Sequence, residues 1–161
     1  MTDALIRRAV AGDRDAIVGM LCGIHAQHLA WDAARWTTST APHTSYAGWL
    51  AELADRPADG GAWVAEVDGA VAGYALAEVE AESIRHWSPR AMYVHDLFVM
   101  PQHRRLGLAR QLMNEVLAWS AQTYPSLQVR LITAAANEPA RAFFAGFGFR
   151  ACAVEMIREG R

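Results

Sequence analysis

Residues 92–121 constrain the chain most. Met92–Val99 is an apolar run of strand-forming residues that stops at Pro101, and proline has no N–H to extend a ladder. A short basic stretch with one glycine follows, Gln102-His103-Arg104-Arg105-Leu106-Gly107. Behind it Ala109, Leu112, Met113, Val116 and Leu117 recur at i, i+3, i+4, i+7 and i+8. That spacing is the apolar stripe of an amphipathic helix and predicts one from about Arg105 to Ala121. A strand, a tight basic loop and a helix, in that order, make half of an α/β unit.

The remaining segments supply what this unit packs against. Leu5–Val10 reads as a first strand, and Asp13 is placed to cap a helix carrying Ile17, Met20, Leu21, Ile24 and His28. Thr37–Thr44 reads as a loop before a helical region at about Tyr46–Leu53. Trp63–Val67 and Val71–Val79 flank Asp68-Gly69, a hairpin pattern. After a break at Tyr124-Pro125-Ser126, Leu127, Val129 and Leu131 alternate with Gln128 and Arg130 as a strand does. Asn137 is placed to cap a short helix with Pro139 in its first turn, Phe143, Phe144 and Phe147 along it, and Gly148 past its end. Ala151–Ile157 reads as a last strand. The order β-α-α-β-β-β-α-β-α-β predicts a single α/β domain over residues 1–161, with a mixed sheet flanked by helices.

Composition narrows the chemistry. All 15 basic residues are arginine, which removes a lysine Schiff base and the lysine of a Walker A loop. Against 17 acidic residues they leave a net charge of −2, so no nucleic-acid partner held by bulk charge is expected. Cys22 and Cys152 are the two cysteines. They make neither a disulfide framework nor a zinc site, which suits a reducing cytoplasm, and Cys152 reads best as a buried structural thiol. No run approaches the ~20 apolar residues of a membrane span, and MTDALIRRAV lacks the apolar core of a secretion signal. The expectation is a cytoplasmic protein with no membrane partner, and a homodimer is compatible with it.

The start of the predicted helix at Arg105–Arg110 is where a ligand would sit. Its first N–H groups have no internal partner, and Arg104, Arg105 and Arg110 add full charge beside them. Gly107 and Ala109 are small enough to admit a close approach to the backbone. Such a place suits phosphate or pyrophosphate. It lacks the Gly-Lys-Ser/Thr end of Walker A and the three glycines of the dinucleotide fingerprint. The plainer alternative is that Gly107 only eases the turn while the arginines stay solvated.

Arg104-x-x-Gly107-x-Ala109 resembles the R/Q-x-x-G-x-G/A signature of the GNAT N-acetyltransferases. Ile6-Arg7-Arg8-Ala9 with Asp13 and Ile17 resembles the opening of that family, and Asp96-Leu97-Phe98-Val99-Met100-Pro101 its fourth strand. Asn137-Glu138-Pro139-Ala140-Arg141-Ala142-Phe143-Phe144, ending in Gly148-Phe149, resembles its N-E-x-A-x-x-F-Y…G-F segment. The resemblance implies a mixed, mostly antiparallel sheet splayed between strands four and five, with helices on both faces. It implies acetyl-CoA as co-substrate in the splay, no metal, and direct transfer to a primary amine of a small molecule. By the same resemblance Leu97, Phe98 and Val99 would hold the pantetheine arm. Arg104, Arg105, Leu106, Gly107, Leu108, Ala109 and Arg110 would hold the pyrophosphate, with Asn137 and Phe144 near the thioester.

An amine with a pKa near 10 is protonated at neutral pH, so a base is needed. His95 matches the strand position of the family's glutamate and is the first candidate; a satisfied structural histidine is the alternative. Side chains 93, 95, 97 and 99 should share one face, with Asp96, the second candidate, on the other. Glu78 and Glu80 could hold a cation or form a solvated strand end. Phe144 stands where the family commonly has tyrosine and cannot donate a proton, leaving Tyr93, water or solvent to do so. The segment His25–Thr44, with His28, Trp31, Arg35 and Trp36, should set the acceptor. His25 and His28, three apart on a helix, lack a third metal ligand at fitting spacing. An N-terminal amine of a protein as acceptor, and a non-catalytic acyl-CoA sensor, are the competing readings.

Overall fold

The computed structural model describes residues 4–37 and 42–160. Its strands are β1 (Ala4–Arg8), β2 (Gly60–Val67), β3 (Ala70–Glu80), β4 (Ala91–Val99) and β5 (Gln128–Leu131), in one sheet of that order. The first four are antiparallel neighbours, and β5 runs parallel to β4. The helices are α1 (Arg14–Trp31), α2 (Ala33–Trp36), α3 (Pro42–Ala54), α4 (Leu108–Thr123) and α5 (Glu138–Ala145). Asp68 and Gly69 join β2 to β3 at φ 51° and 80°, the left-handed backbone that an Asp-Gly turn supplies.

Alternation along the strands sorts the apolar residues onto two faces. Trp63, Ala65 and Val67 of β2 and Met92 and Val94 of β4 meet Leu108, Leu112, Met113 and Val116 of α4. On the other face Val64, Tyr74 and Leu76 meet Ile17 and Met20 of α1 and Leu53 of α3. Leu112, Met113 and Val116 have no exposed surface, so each contributes about 1.5–3 kcal/mol of burial. The stripe read from the sequence is therefore what clamps α4 to the sheet.

Three segments differ from expectation. Helix α4 begins at Leu108 rather than Arg105, because Arg105 and Gly107 adopt left-handed φ of 70° and 78°. Helix α3 starts at Pro42, inside the expected Thr37–Thr44 loop, of which residues 38–41 lie outside the described residues. Ala151–Ile157 is not a strand. It has no regular structure, with Val154 and Met156 87% and 89% exposed, since alternation without a neighbouring backbone completes no ladder. Cys152 lies on this segment and is exposed, not buried.

A bulge interrupts β4. Ala77 pairs with Val94 and Leu76 with Asp96, which leaves His95 without a partner across the ladder. One extra residue reverses the face met by each later side chain. Met92, Val94, Leu97 and Val99 all pack toward α4, whereas Phe98 packs on the α1 side. Side chains 93, 95, 97 and 99 therefore do not share a face.

Candidate active site

Strands β4 and β5 pair only from Ala91/Gln128 to Val94/Leu131. Beyond that point the β5 side of β4 is open. Met100 N–H donates to Ala72 O on the β3 side at 2.9 Å, so by alternation the backbone groups of Leu97 and Val99 face the opening. Arg104 Nε indeed reaches Val99 O from that side, at 3.1 Å. The opening leads to the start of α4, where Gly107 holds no side-chain cap over the first-turn N–H groups and buried Leu108 fixes the helix end. A Cβ at Gly107 would meet only Gln111 Nε2, at 3.8 Å, so the glycine answers to φ and not to space. An unpaired strand edge followed by orphan amides fits an elongated ligand with amide groups and a phosphate end.

A cavity of about 820 Å³ reaches β4 at Tyr93, His95 and Asp96, around the bulge. Tyr93, His95, Asp96 and Glu80 form its sheet wall, His25, His28, Arg35, Trp36 and Tyr46 come from the three N-terminal helices, and Ile132 and Glu155 lie toward its C-terminal side. Arg35 Nε donates to Glu155 Oε2 at 2.7 Å, tying the C-terminal segment to α2. His28 packs edge-on against Trp36 and Trp31, with centroids 4.4 and 5.3 Å away.

The titratable groups of the sheet wall are unequally placed. The His95 ring packs against Trp49 of α3, and its Nε2 lies 3.4 Å from Glu78 Oε1 and 3.7 Å from Glu80 Oε1 without a hydrogen bond. Burial pushes the imidazole down to about 4, so it is neutral at pH 7. Asp96 accepts from Tyr74 Oη–H at 3.1 Å, and burial pushes its carboxyl up to about 7. Burial first and the Glu78 charge second raise Glu80. Tyr93 is pushed up to about 12, chiefly by burial, and keeps its proton.

A family model described as the acetyltransferase (GNAT) family matches residues 25–149. This chain belongs to that family. The acetyltransferase also resembles solved structures over nearly its whole length. Aminoglycoside N-acetyltransferase AAC(6')-Iy in complex with CoA is 16% identical, with TM-score 0.72 and 100% and 97% of the two chains covered. Glucosamine-6-phosphate N-acetyltransferase from Arabidopsis thaliana is 16% identical, with TM-score 0.69 and 98% of each chain covered. A predicted acetyltransferase with acetyl-CoA from Clostridium acetobutylicum is 13% identical, with TM-score 0.67 and 98% and 96% covered. No curated protein sequence matches significantly.

In this acetyltransferase the structure brings His95 and Asp96 to one cavity, against the expectation that they face opposite ways. The backbone of Leu97 and Val99 lies on the unpaired side of β4, Gly107, Leu108 and Ala109 lie at the start of α4, and Leu106 is half-exposed in the loop between. Phe98 points to the other face, where Arg104 stacks 5.8 Å from its ring. The Arg110 guanidinium lies 5.0 Å from the Phe147 ring rather than out over the loop. Asn137 Oδ1 accepts from Ala140 N–H at 3.2 Å, so its amide oxygen is committed to capping α5. Phe144 packs on the α4-side core together with Phe143 and Phe147. Glu78 is no solvated strand end: it is 15% exposed, accepts from Trp49 Nε1 at 3.0 Å and faces Arg56. Tyr74, Trp49, Tyr46, Ile132 and Glu155 escaped the sequence reading. Tyr74 alone left a trace, as a single aromatic in the small-residue strand Ala-Val-Ala-Gly-Tyr-Ala.

Proposed function

We propose that this acetyltransferase moves an acetyl group from acetyl-CoA directly to a primary amine of a small molecule, with Asp96 as the base. One observation carries the reading: just past the last β4–β5 pair, a cavity wall holds the Asp96 carboxyl, which burial pushes up to about 7. Acetyl-CoA, when bound, supplies an acyl group activated as a thioester. The amides of Leu108, Ala109 and Arg110 would hold its phosphates, and the backbone of Leu97 and Val99 its amide-bearing arm. A backbone N–H on this open edge is also the donor available to a carbonyl oxygen.

Asp96 would take the proton from the acceptor ammonium and return it to solvent. The free amine then forms the C–N bond as the thioester C–S bond breaks, and the second proton lost by the nitrogen reaches the leaving thiolate through solvent. A base with a pKa near the working pH suits that task, and a buried imidazole near 4 does not. Tyr93 offers a hydrogen bond in the same wall, since it holds its proton too firmly to release it. The Trp36, Tyr46 and Tyr93 rings and the Glu80 carboxylate favour an amine with both apolar surface and positive charge. An aromatic-walled cavity supports a small acceptor over a peptide, and two unpaired cysteines support a reducing cytoplasm. The test is release of free CoA thiol from acetyl-CoA against amines, polyamines, amino acids and peptides. Turnover with a small amine is expected. Turnover with peptides alone, or tight CoA binding with no turnover at all, would overturn the reading.

A further inference from the structure

We infer that Tyr74 is a positioning residue for acetyl transfer: its hydroxyl, reaching across from β3, orients the Asp96 carboxylate and sets the pH at which Asp96 ionises. The inference rests on the reading of Asp96 as the base. Tyr74 has no exposed surface and sits among Ile17, Met20, Leu53, Val64 and Leu76. Phenylalanine would fill that volume without a polar atom. A phenol buried there without a partner is unfavourable, and its recorded partner is Asp96 Oδ2 at 3.1 Å.

The register explains how the two meet. Tyr74 lies opposite Phe98 and Asp96 opposite Leu76, so the pair is a diagonal one, within reach of a long aromatic side chain. Holding Oδ2 from the core side leaves Oδ1 as the oxygen available to the cavity. Burial keeps the Tyr74 proton on its oxygen far above the usual phenol range, so across the working pH Tyr74 donates and the carboxylate accepts. Donation to the charged form favours ionisation and opposes the burial that pushes Asp96 upward.

The other charged and titratable groups around Asp96 are accounted for. His95 is its neighbour on β4, and Glu80, with Glu78 behind it, comes from β3. His25 and His28 face the cavity from α1, Arg35 from α2, Tyr46 from α3, Tyr93 from β4, His86 from the connection between β3 and β4, and Glu155 from the C-terminal segment. Tyr74→Phe changes none of them, so a shift in that variant belongs to the hydroxyl.

The experiment follows the Asp96 carboxyl by carbon-13 NMR in the free protein, and kcat/KM against pH, for wild type and Tyr74→Phe. The carboxyl pKa should rise by about one unit, a tenfold change in ionisation. The acid limb of kcat/KM should move up equally while the high-pH plateau is kept. Difluorotyrosine at position 74, a stronger donor, should move both the other way. An unmoved carboxyl in both variants overturns the inference. So does a shifted carboxyl with an unmoved acid limb. Asp96→Asn then tells the failures apart: if it keeps the wild-type rate, the base reading has fallen, and if it is inactive, only the role of Tyr74 has.

Discussion

His95 and Asp96 are sequence neighbours whose side chains line one cavity, because the bulge at His95 cancels the alternation that would send them to opposite faces. The two are not equivalent there. Asp96→Asn should lower kcat/KM by about 10²–10⁴-fold with CoA affinity kept, while His95→Gln should cost no more than about tenfold. Steady-state rates on the best acceptor, with CoA binding measured alongside, check this. The reverse ranking would return His95 to the role of base.

The same pair gives opposing pH dependences of stability. The folded pKa of Asp96, about 7, lies above its unfolded value, so the penalty for its charge grows as pH rises from about 4 to 7. The folded pKa of His95, about 4, lies below its unfolded value, so stability is lost as pH falls from about 6.5 to 4. In wild type the two slopes offset each other, and single variants should expose them. Asp96→Asn should be more stable than wild type by about 1–3 kcal/mol at pH 8, with the gain gone below about pH 4. Urea unfolding at several pH values is the measurement.

Arg7 links β1 to the start of α1 and to β2. Its Nη1 lies 2.7 Å from Asp13 Oδ2 and its Nη2 2.8 Å from Glu66 Oε2. Asp13, buried and also accepting from Val10 N–H, is held below the usual carboxylate range chiefly by the Arg7 hydrogen bonds. A depressed folded pKa gives stability present above about pH 4 and lost as pH falls through the folded value. Arg7→Met strands that carboxylate and should cost about 2–4 kcal/mol at pH 7, with a smaller loss in acid. An equal loss at pH 7 and pH 3 would show that the cost is packing.

Legibility followed the range of the forces. The α4 stripe, the Asp-Gly turn and the glycine before α4 are local, and each could be read directly from residue spacing. The bulge at His95 is a property of the β3–β4 register, which one strand's sequence does not contain, so alternation along β4 alone sends His95 and Asp96 to opposite faces. Tyr74 reaches Asp96 across the sheet, and Trp49 reaches His95 and Glu78 from α3, by contacts between residues distant in sequence. Ala151–Ile157 shows the converse: its alternation is real, but a strand needs a partner. The fold was therefore more legible than the cavity wall.

Gly107 should separate strain from charge. Ala at this position keeps an open Cβ environment and pays mainly for its left-handed φ, so it should lose about 1 kcal/mol of stability and keep CoA binding within a few-fold. Glu puts an anion beside the first-turn amides of α4 and should abolish CoA binding while the protein still folds. Calorimetric titration with CoA checks both. Unchanged binding by Gly107→Glu would remove the helix start from the cofactor site.

Phe144 tests where the leaving group finds its proton. Its ring lies 5.3 Å from Phe143 and 5.8 Å from Phe149, in the cluster that caps the α4-side core, and it does not line the cavity. A hydroxyl added there meets other phenyl rings or the solvent margin of a half-buried site. Phe144→Tyr should therefore fold, shift stability by no more than about 1 kcal/mol, and leave kcat within about twofold. A proton donor reaching the reaction would instead raise the rate, about tenfold for each 1.4 kcal/mol of barrier removed. Measuring kcat at saturating acetyl-CoA distinguishes the two. A flat rate is expected where the leaving thiolate takes its proton through solvent, whereas a tenfold gain would turn the ring into the splay and make leaving-group protonation the slow step.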